Sequence, residues 1–141
     1  MSVTAIYEKL CSVNLGSSGI LTAPTAIPTA LNESELPCAI TIPGPAEWNE
    51  HAVGFHRQVR TYIIRVYVKP VALGKGVDEG YQACLAPLNA LGLKYLDDLS
   101  LGNTVDEIRQ PFTDSGIQVL EYAGVAYHGF EFKLEVTEKS T

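Results

Sequence analysis

Charged residues are scarce in this chain, and cations are scarcer than anions. Of 141 residues 18% are charged, with 10 Lys and Arg against 16 Asp and Glu, so the formal net charge is −6. A protein that grips nucleic-acid phosphates needs a basic face, and this balance argues against one. It is compatible with a protein that nucleic acid passes without being bound. So few charges on a small domain also indicate a surface that meets a partner.

Cysteine pairs and long apolar runs are missing as well. Cys11, Cys38 and Cys84 are odd in number and never form a Cys-x-x-Cys motif, which predicts small buried thiols in a reducing compartment. The most apolar run, residues 62–68, contains Arg65 and is too short to span a bilayer. The start of the chain lacks a basic segment followed by an apolar one, so we expect no signal peptide. These features predict a soluble protein without a membrane partner.

What is present fits one folded domain. Apolar residues make up 46% of the chain, a normal fraction for a globular protein, and the length suits a single domain over residues 1–141. Periodicity and turn residues first predict a helix at 4–15, an extended Pro-rich connection at 16–37, a strand at 38–42, a loop at 43–56 and a strand at 59–71. A loop at 72–80 follows, then a helix at 77–91 that Pro87 kinks or ends, and a short helical turn at 93–99. The last predicted elements are strands at 117–127 and 130–137, joined by a turn at His128-Gly129. This order predicts an α+β fold, a mostly antiparallel sheet with helices packed on one face.

Two of these strands show clear alternation, which is typical of a sheet with one covered face. The predicted apolar faces are Tyr62, Ile64, Val66 and Val68 in the first strand, and Phe130, Phe132, Leu134 and Val136 in the second. The opposite faces are mixed in the first strand (Thr61, Ile63, Arg65, Tyr67, Lys69) and wet and acidic in the second (Glu131, Lys133, Glu135, Thr137).

Candidate chemical motifs do not converge on a catalytic site. The stretch 74–80 is glycine-rich like a phosphate loop, but it lacks the Gly-Lys-Ser/Thr ending and carries two acids. His51, His56 and His128 have no ligand at metal-binding spacing. The acid pairs at 97–98 and 106–107 are best interpreted as solvated surface. The sequence therefore predicts a protein that is not an enzyme, with no catalytic, cofactor-binding or metal-binding residue.

Surface residues are the remaining candidates. Trp48 lies in a predicted polar loop, where an aromatic residue is either a lid over its own core or an anchor in a partner's pocket. Four cations, Arg57, Arg60, Arg65 and Lys69, follow one another along a single strand. They form either a solvated face or ion pairs across a subunit boundary.

Four stretches, within roughly residues 3–138, carry a resemblance to a known family. They are the opening helix at 3–15, the strand and turn Pro37-Cys38-Ala39-Ile40-Thr41-Ile42-Pro43-Gly44-Pro45, the strand at 60–68, and the ending Tyr122-Ala123-Gly124-Val125-Ala126-Tyr127-His128-Gly129-Phe130-Glu131-Phe132. The resemblance is to the small tail terminator (tail completion, head-to-tail joining) proteins of long-tailed bacteriophages. It implies an α+β subunit of a hexameric ring on the end of the tail tube. Such a ring stops tube polymerisation, meets the head connector and leaves a channel for DNA.

The resemblance also implies partners and a place for the candidate residues. The partners are further copies of the chain, the tail tube protein and the head-closure or connector protein, in a virion assembled in the host cytoplasm. The interface candidates are Trp48, His51, His56, Arg57, Arg60, Arg65, Lys69, Lys75, Asp78 and Glu79, and the candidates for the channel lining are Asp78, Glu79, Glu131 and Glu135. Six copies would carry a formal charge of about −36, and an acidic channel repels DNA phosphates.

Other functions stay open at this stage. Within the same class, the chain is a head-closure stopper or a tail tube subunit. In a different class, it is a small cytosolic ligand-binding or enzymatic α+β domain, which predicts a well-formed pocket with convergent polar groups. A cytosolic adaptor is the third alternative.

Overall fold

The structure of the chain, a computed structural model, describes residues 3–52, 55–71 and 77–140. The helices are α1 (Val3–Leu15) and α2 (Val77–Asp97), with a short 3-10 helix at Glu33–Glu35 between them. The strands, in chain order, are β1 (Cys38–Ala52), β2 (Phe55–Pro70), β3 (Glu107–Ile108), β4 (Thr113–Asp114), β5 (Gln118–Tyr122) and β6 (Val125–Ser140).

These strands form one antiparallel sheet in which β2 lies between β1 and β6. On its other side β6 pairs in turn with β5, β4 and β3, so β1 forms one edge of the sheet and the three short strands form the other. The α+β fold with a mostly antiparallel sheet is therefore confirmed.

Both helices pack on the same face of this sheet. Ile6 and Leu10 of α1 and Leu91 and Tyr95 of α2 are buried in one cluster with the sheet residues. The alternation predicted from the sequence supplies the sheet's share of that cluster: Tyr62, Ile64, Val66, Val68, Phe130, Phe132, Leu134 and Val136 are all buried. We call this side of the sheet the helix face.

A buried polar contact joins three elements at the helix face. Asn14 of α1 donates a hydrogen bond from Nδ2 to Oγ1 of Thr41 on β1 at 3.1 Å, and it accepts one from the Tyr95 hydroxyl of α2. All three side chains are fully buried, so each polar atom in this contact depends on its neighbours for a partner.

The opposite face of the sheet carries a smaller core. Leu31 from the connection at 16–37 packs there with Cys38, Ile40, Tyr67 and Tyr127. The connection is extended as predicted, with only the 3-10 helix and one parallel bridge, Thr22 to Cys38.

This second cluster covers only part of the face opposite the helices. Tyr67, which lies under it, is therefore buried, whereas Ile63 and Arg65 on the same face of β2 are half-buried. Thr137, expected on a wet face, is also buried.

The predicted loop at 43–56 is wrong. Strand β1 continues through residues 43–52, and residues 46–50 pair with residues 56–60 of β2. The Pro43-Gly44-Pro45 signal marks a break in register inside β1 rather than a turn. Polar side chains on both sides of this stretch hide the alternation by which strands are recognised, and the pairing that forms it is not local.

Helix α2 differs from the prediction in its length and in its buried side. Pro87 neither ends nor splits α2, which runs unbroken from Val77 to Asp97 with Pro87 buried, so residues 77–80 of the predicted loop at 72–80 are helical. Lys75 and the rest of 72–76 lie outside the described residues. Ala83, expected on the buried side of α2, is exposed, and Cys84 takes that position.

The His128-Gly129 pair is not a hairpin turn but part of β6. The turn lies at Ala123-Gly124, where both residues have positive φ (51° and 82°), as a two-residue hairpin requires. Gly129 instead allows close strand contact, because a Cβ atom there would lie 2.1 Å from the carbonyl oxygen of Val66.

Candidate functional site

Trp48 lies on β1 near the tip of the β1–β2 hairpin, and 62% of its surface is exposed. It pairs with Gln58, which pairs in turn with Glu138 of β6, so its side chain is on the helix face. The Arg60 guanidinium lies 5.8 Å from the centre of the indole ring. This exposure does not fit a lid over the protein's own core; an anchor in a partner's pocket stays a prediction.

Arg60 is held in place beside Trp48 by two hydrogen bonds. It donates from Nη1 to the Gly44 carbonyl oxygen at 2.8 Å and from Nη2 to Oε1 of Gln58 at 3.4 Å. A guanidinium against an indole face is a favourable cation–π contact. We call Trp48 and Arg60 together the Trp48 patch. Its indole is exposed, whereas its guanidinium is half-buried and also interacts with the Glu138 carboxyl.

The other cations of β2 do not join Arg60. Alternation places Arg57 and Arg65 on the opposite face. The shift in register between Tyr67 and Lys69 instead brings Lys69 to α2 on the helix face, contrary to the alternation predicted from the sequence. Arg65 pairs with Glu131 at 3.0 Å, and this contact raises the pKa of the guanidinium. Lys69 pairs with Glu79 and lowers the pKa of that carboxyl. Arg65 and Lys69 thus have ion-pair partners in their own chain.

Three of the four residues predicted to line a channel are also paired. Glu131 and Glu79 have the partners just given, and Glu135 lies 3.5 Å from Arg109. Each of these three carboxylates thus lies beside a cation of its own chain. The side chains of His51 and Asp78 lie outside the part of the chain that the structure describes, and His56 is exposed on β2.

An apolar groove runs along α2 on the side facing β4. We call it the α2–β4 groove and define it by Leu85, Leu93, Leu96, Phe112, Asp114 and Phe132. Its volume is about 500 Å³. The three leucines are 44–51% exposed, which is unusual for leucine in a folded domain when they adjoin one another.

Sequence reasoning missed this groove, although part of its signal is visible. Beside the buried positions of α2, further apolar residues recur at helical spacing: Tyr81, Leu85, Leu88 and Leu96. They make the apolar stripe of the helix wider than the part that packs on the sheet. The other wall is Asp114 of β4 and Phe112, which precedes this strand; a strand of two residues has no periodicity by which to recognise it.

A second apolar groove, of about 650 Å³, lies beside the free edge of β1. Its lining includes Tyr7 of α1, Ile42 of β1, Tyr67 of β2 and Tyr122 of β5, with Arg65 at its rim. We call it the α1–β1 groove. Its size is that of ordinary ligand pockets, but polar groups are few.

The predicted buried thiols are confirmed. Cys11, Cys38 and Cys84 are free and buried, and burial raises the pKa of Cys84 to about 11. Three metal-ligating side chains do not come together anywhere in the described ranges 3–52, 55–71 and 77–140. Nor does either helix in these ranges have the length and apolarity needed to cross a bilayer.

No model of a protein family matches the chain, and no match is found among curated proteins.

Proposed function

We propose that the chain is a structural ring subunit, the tail terminator of a long-tailed bacteriophage. The single observation that carries the proposal is the presence of two unlike exposed apolar surfaces on one folded chain: the Trp48 patch on the hairpin and the α2–β4 groove. Adjoining exposed apolar groups of this kind mark surfaces that meet other proteins. The resemblance of the helix at 3–15 and the strands at 37–45, 60–68 and 122–132 supplies the family.

Unlike surfaces suit a ring better than a two-fold dimer. A two-fold dimer joins one surface to itself, whereas a ring joins each subunit's first surface to its neighbour's second. A terminator also needs two stacking sides, one toward the tube and one toward the connector. The exposed residues near the hairpin tip and the α1–β1 groove are candidates for those sides.

The charge of the chain supports unhindered passage of DNA. Glu79, Glu131 and Glu135 are paired with cations, so the formal excess of −6 lies on other acids. Among them, Asp97, Asp106 and Glu107 are exposed near the end of α2 and in β3. A ring that presents a net negative surface repels the DNA backbone, which lets the genome pass without being held.

The experiment that tests this function is native mass spectrometry of the purified chain, followed by negative-stain imaging with and without tail tubes. We expect closed rings, either free in solution or only on tube ends. A chain that stays monomeric and leaves tube ends bare would contradict the proposal. Open-ended tubes formed by the chain alone would identify a tube subunit instead.

The α1–β1 groove favours a second candidate, a domain that binds a small apolar ligand. Three tyrosine side chains, Tyr7, Tyr67 and Tyr122, line a cavity of about 650 Å³. Mass spectrometry of the organic extract of the purified protein tests this function. A stoichiometric small molecule would support it, and its loss in Tyr67→Ala, together with monomeric behaviour, would favour it over the ring.

A further inference from the structure

We propose that the Trp48 patch of one copy docks into the α2–β4 groove of a second copy, and that this contact links neighbouring subunits. The inference rests on the proposed ring and names the two surfaces that close it. It commits to a second copy of this chain as the occupant of the groove.

The Trp48 patch cannot fill the groove of its own chain. Through the pairing of β1 with β2 and of β2 with β6, Trp48 is in register with Glu138 of β6. Asp114 of β4 pairs directly with Phe132, which precedes Glu138 by six residues on β6. The offset is about 20 Å along the strand and, across three strand spacings, about 14 Å sideways. Both side chains are on the helix face, so a second molecule must bring them together.

The two surfaces are complementary in polarity and charge. The groove is walled by leucine and phenylalanine side chains, and the acid that lines it is Asp114, whose side chain is exposed. The groove also reaches Leu96 near the end of α2, where the carbonyl groups and Asp97 contribute negative potential that Lys94 offsets in part. An indole with a guanidinium against it matches both features, since the ring enters the apolar part and the cation meets the acid.

The Trp48 patch has the properties of an interface anchor. Trp and Arg are the residue types most often found at energetic hot spots, where a side chain fills a pocket in the partner. Arg60 is fixed by hydrogen bonds to Gly44 and Gln58, so docking requires little further ordering of its side chain. Because the patch and the groove are different surfaces, the contact is heterologous and each subunit uses both.

Two single variants test the contact. Trp48→Ala removes the anchor, and Leu93→Glu places a carboxylate in the groove; both positions are exposed, so the fold should persist, which circular dichroism and urea unfolding check. Each variant alone should weaken association about thirtyfold or more and run as a monomer where the wild type assembles. Leu15→Glu, an equally exposed leucine on α1, is the matched control and should assemble normally.

The decisive step is to mix the two variants. A Leu93→Glu copy keeps its patch and a Trp48→Ala copy keeps its groove, so the mixture contains one working contact per pair. To trap it, Glu50→Cys is added to the first and Asn89→Cys to the second, and a short bis-maleimide is applied. We expect a covalent heterodimer and no larger species, whereas Glu50→Cys paired with Val119→Cys gives only background.

The outcomes separate this inference from the proposed function. Rings formed by Trp48→Ala or Leu93→Glu, or equal cross-linking to position 119, would overturn the docking while leaving the ring function intact. A wild-type chain that is monomeric with and without tail tubes would overturn the ring function and the docking with it.

Discussion

At the scale of single residues, Gly129 is required by the close approach of two strands. A Cβ atom there would lie 2.1 Å from the Val66 carbonyl oxygen, and backbone cannot move aside as a side chain can. We expect Gly129→Ala to lower the free energy of unfolding by about 3 kcal/mol or more. Urea denaturation measures this. Gly124→Ala is the control, because its Cβ meets open space and only the positive φ of 82° opposes it, at about 1 kcal/mol. Equal losses for both would refute the steric argument.

The buried thiols lead to a second prediction at this scale. Burial raises the pKa of Cys84 from 9.0 to about 11, so at pH 8 the folded protein holds roughly a hundredfold less thiolate there than the unfolded chain. Disulfide-reagent labelling should be slow in native buffer and fast in denaturant, with Ser18→Cys as an exposed control. Because the raised pKa disfavours ionisation only in the folded state, this contribution to stability is complete below pH 9 and is lost as the pH rises toward 11. Rapid native labelling of Cys84 would contradict this.

At the scale of elements, the contact among Asn14, Thr41 and Tyr95 ties both helices to β1. Tyr95→Phe removes the hydroxyl that donates to Asn14 and leaves a buried amide oxygen without that donor. We expect a loss of about 1–3 kcal/mol in the free energy of unfolding. Tyr81→Phe removes the same atom from an exposed site on the same helix and should change stability little. In an Asn14→Ala background, removal of the Tyr95 hydroxyl should have a smaller effect, since its partner is gone. Additive losses would show that the two side chains act independently.

Some elements could be predicted from the sequence, and others depend on contacts that are distant along the chain. Strands β2 and β6 were predictable where one face is buried, because Tyr62 to Val68 and Phe130 to Val136 alternate with a period of two. The hairpin tip around Trp48 was not, since its residues are exposed and are strand only by pairing with β2. The α2–β4 groove combines a visible helical stripe with Phe112 and Asp114, whose position depends on non-local pairing with β6. Both candidate surfaces therefore required the tertiary structure.

At the scale of the whole molecule, assembly and stability are linked. If copies join through the Trp48 patch and the α2–β4 groove, the folded subunit is bound and the unfolded chain is not, so association stabilises the fold by mass action. The thermal unfolding midpoint should therefore rise with protein concentration for the wild type and stay constant for Trp48→Ala. Leu15→Glu, which leaves both surfaces intact, should follow the wild type. Differential scanning calorimetry over a dilution series measures the midpoints. A midpoint independent of concentration in the wild type, in samples where rings are imaged, would mean that ring contacts contribute little to folding. A concentration dependence that persists in Trp48→Ala would assign association to a different surface.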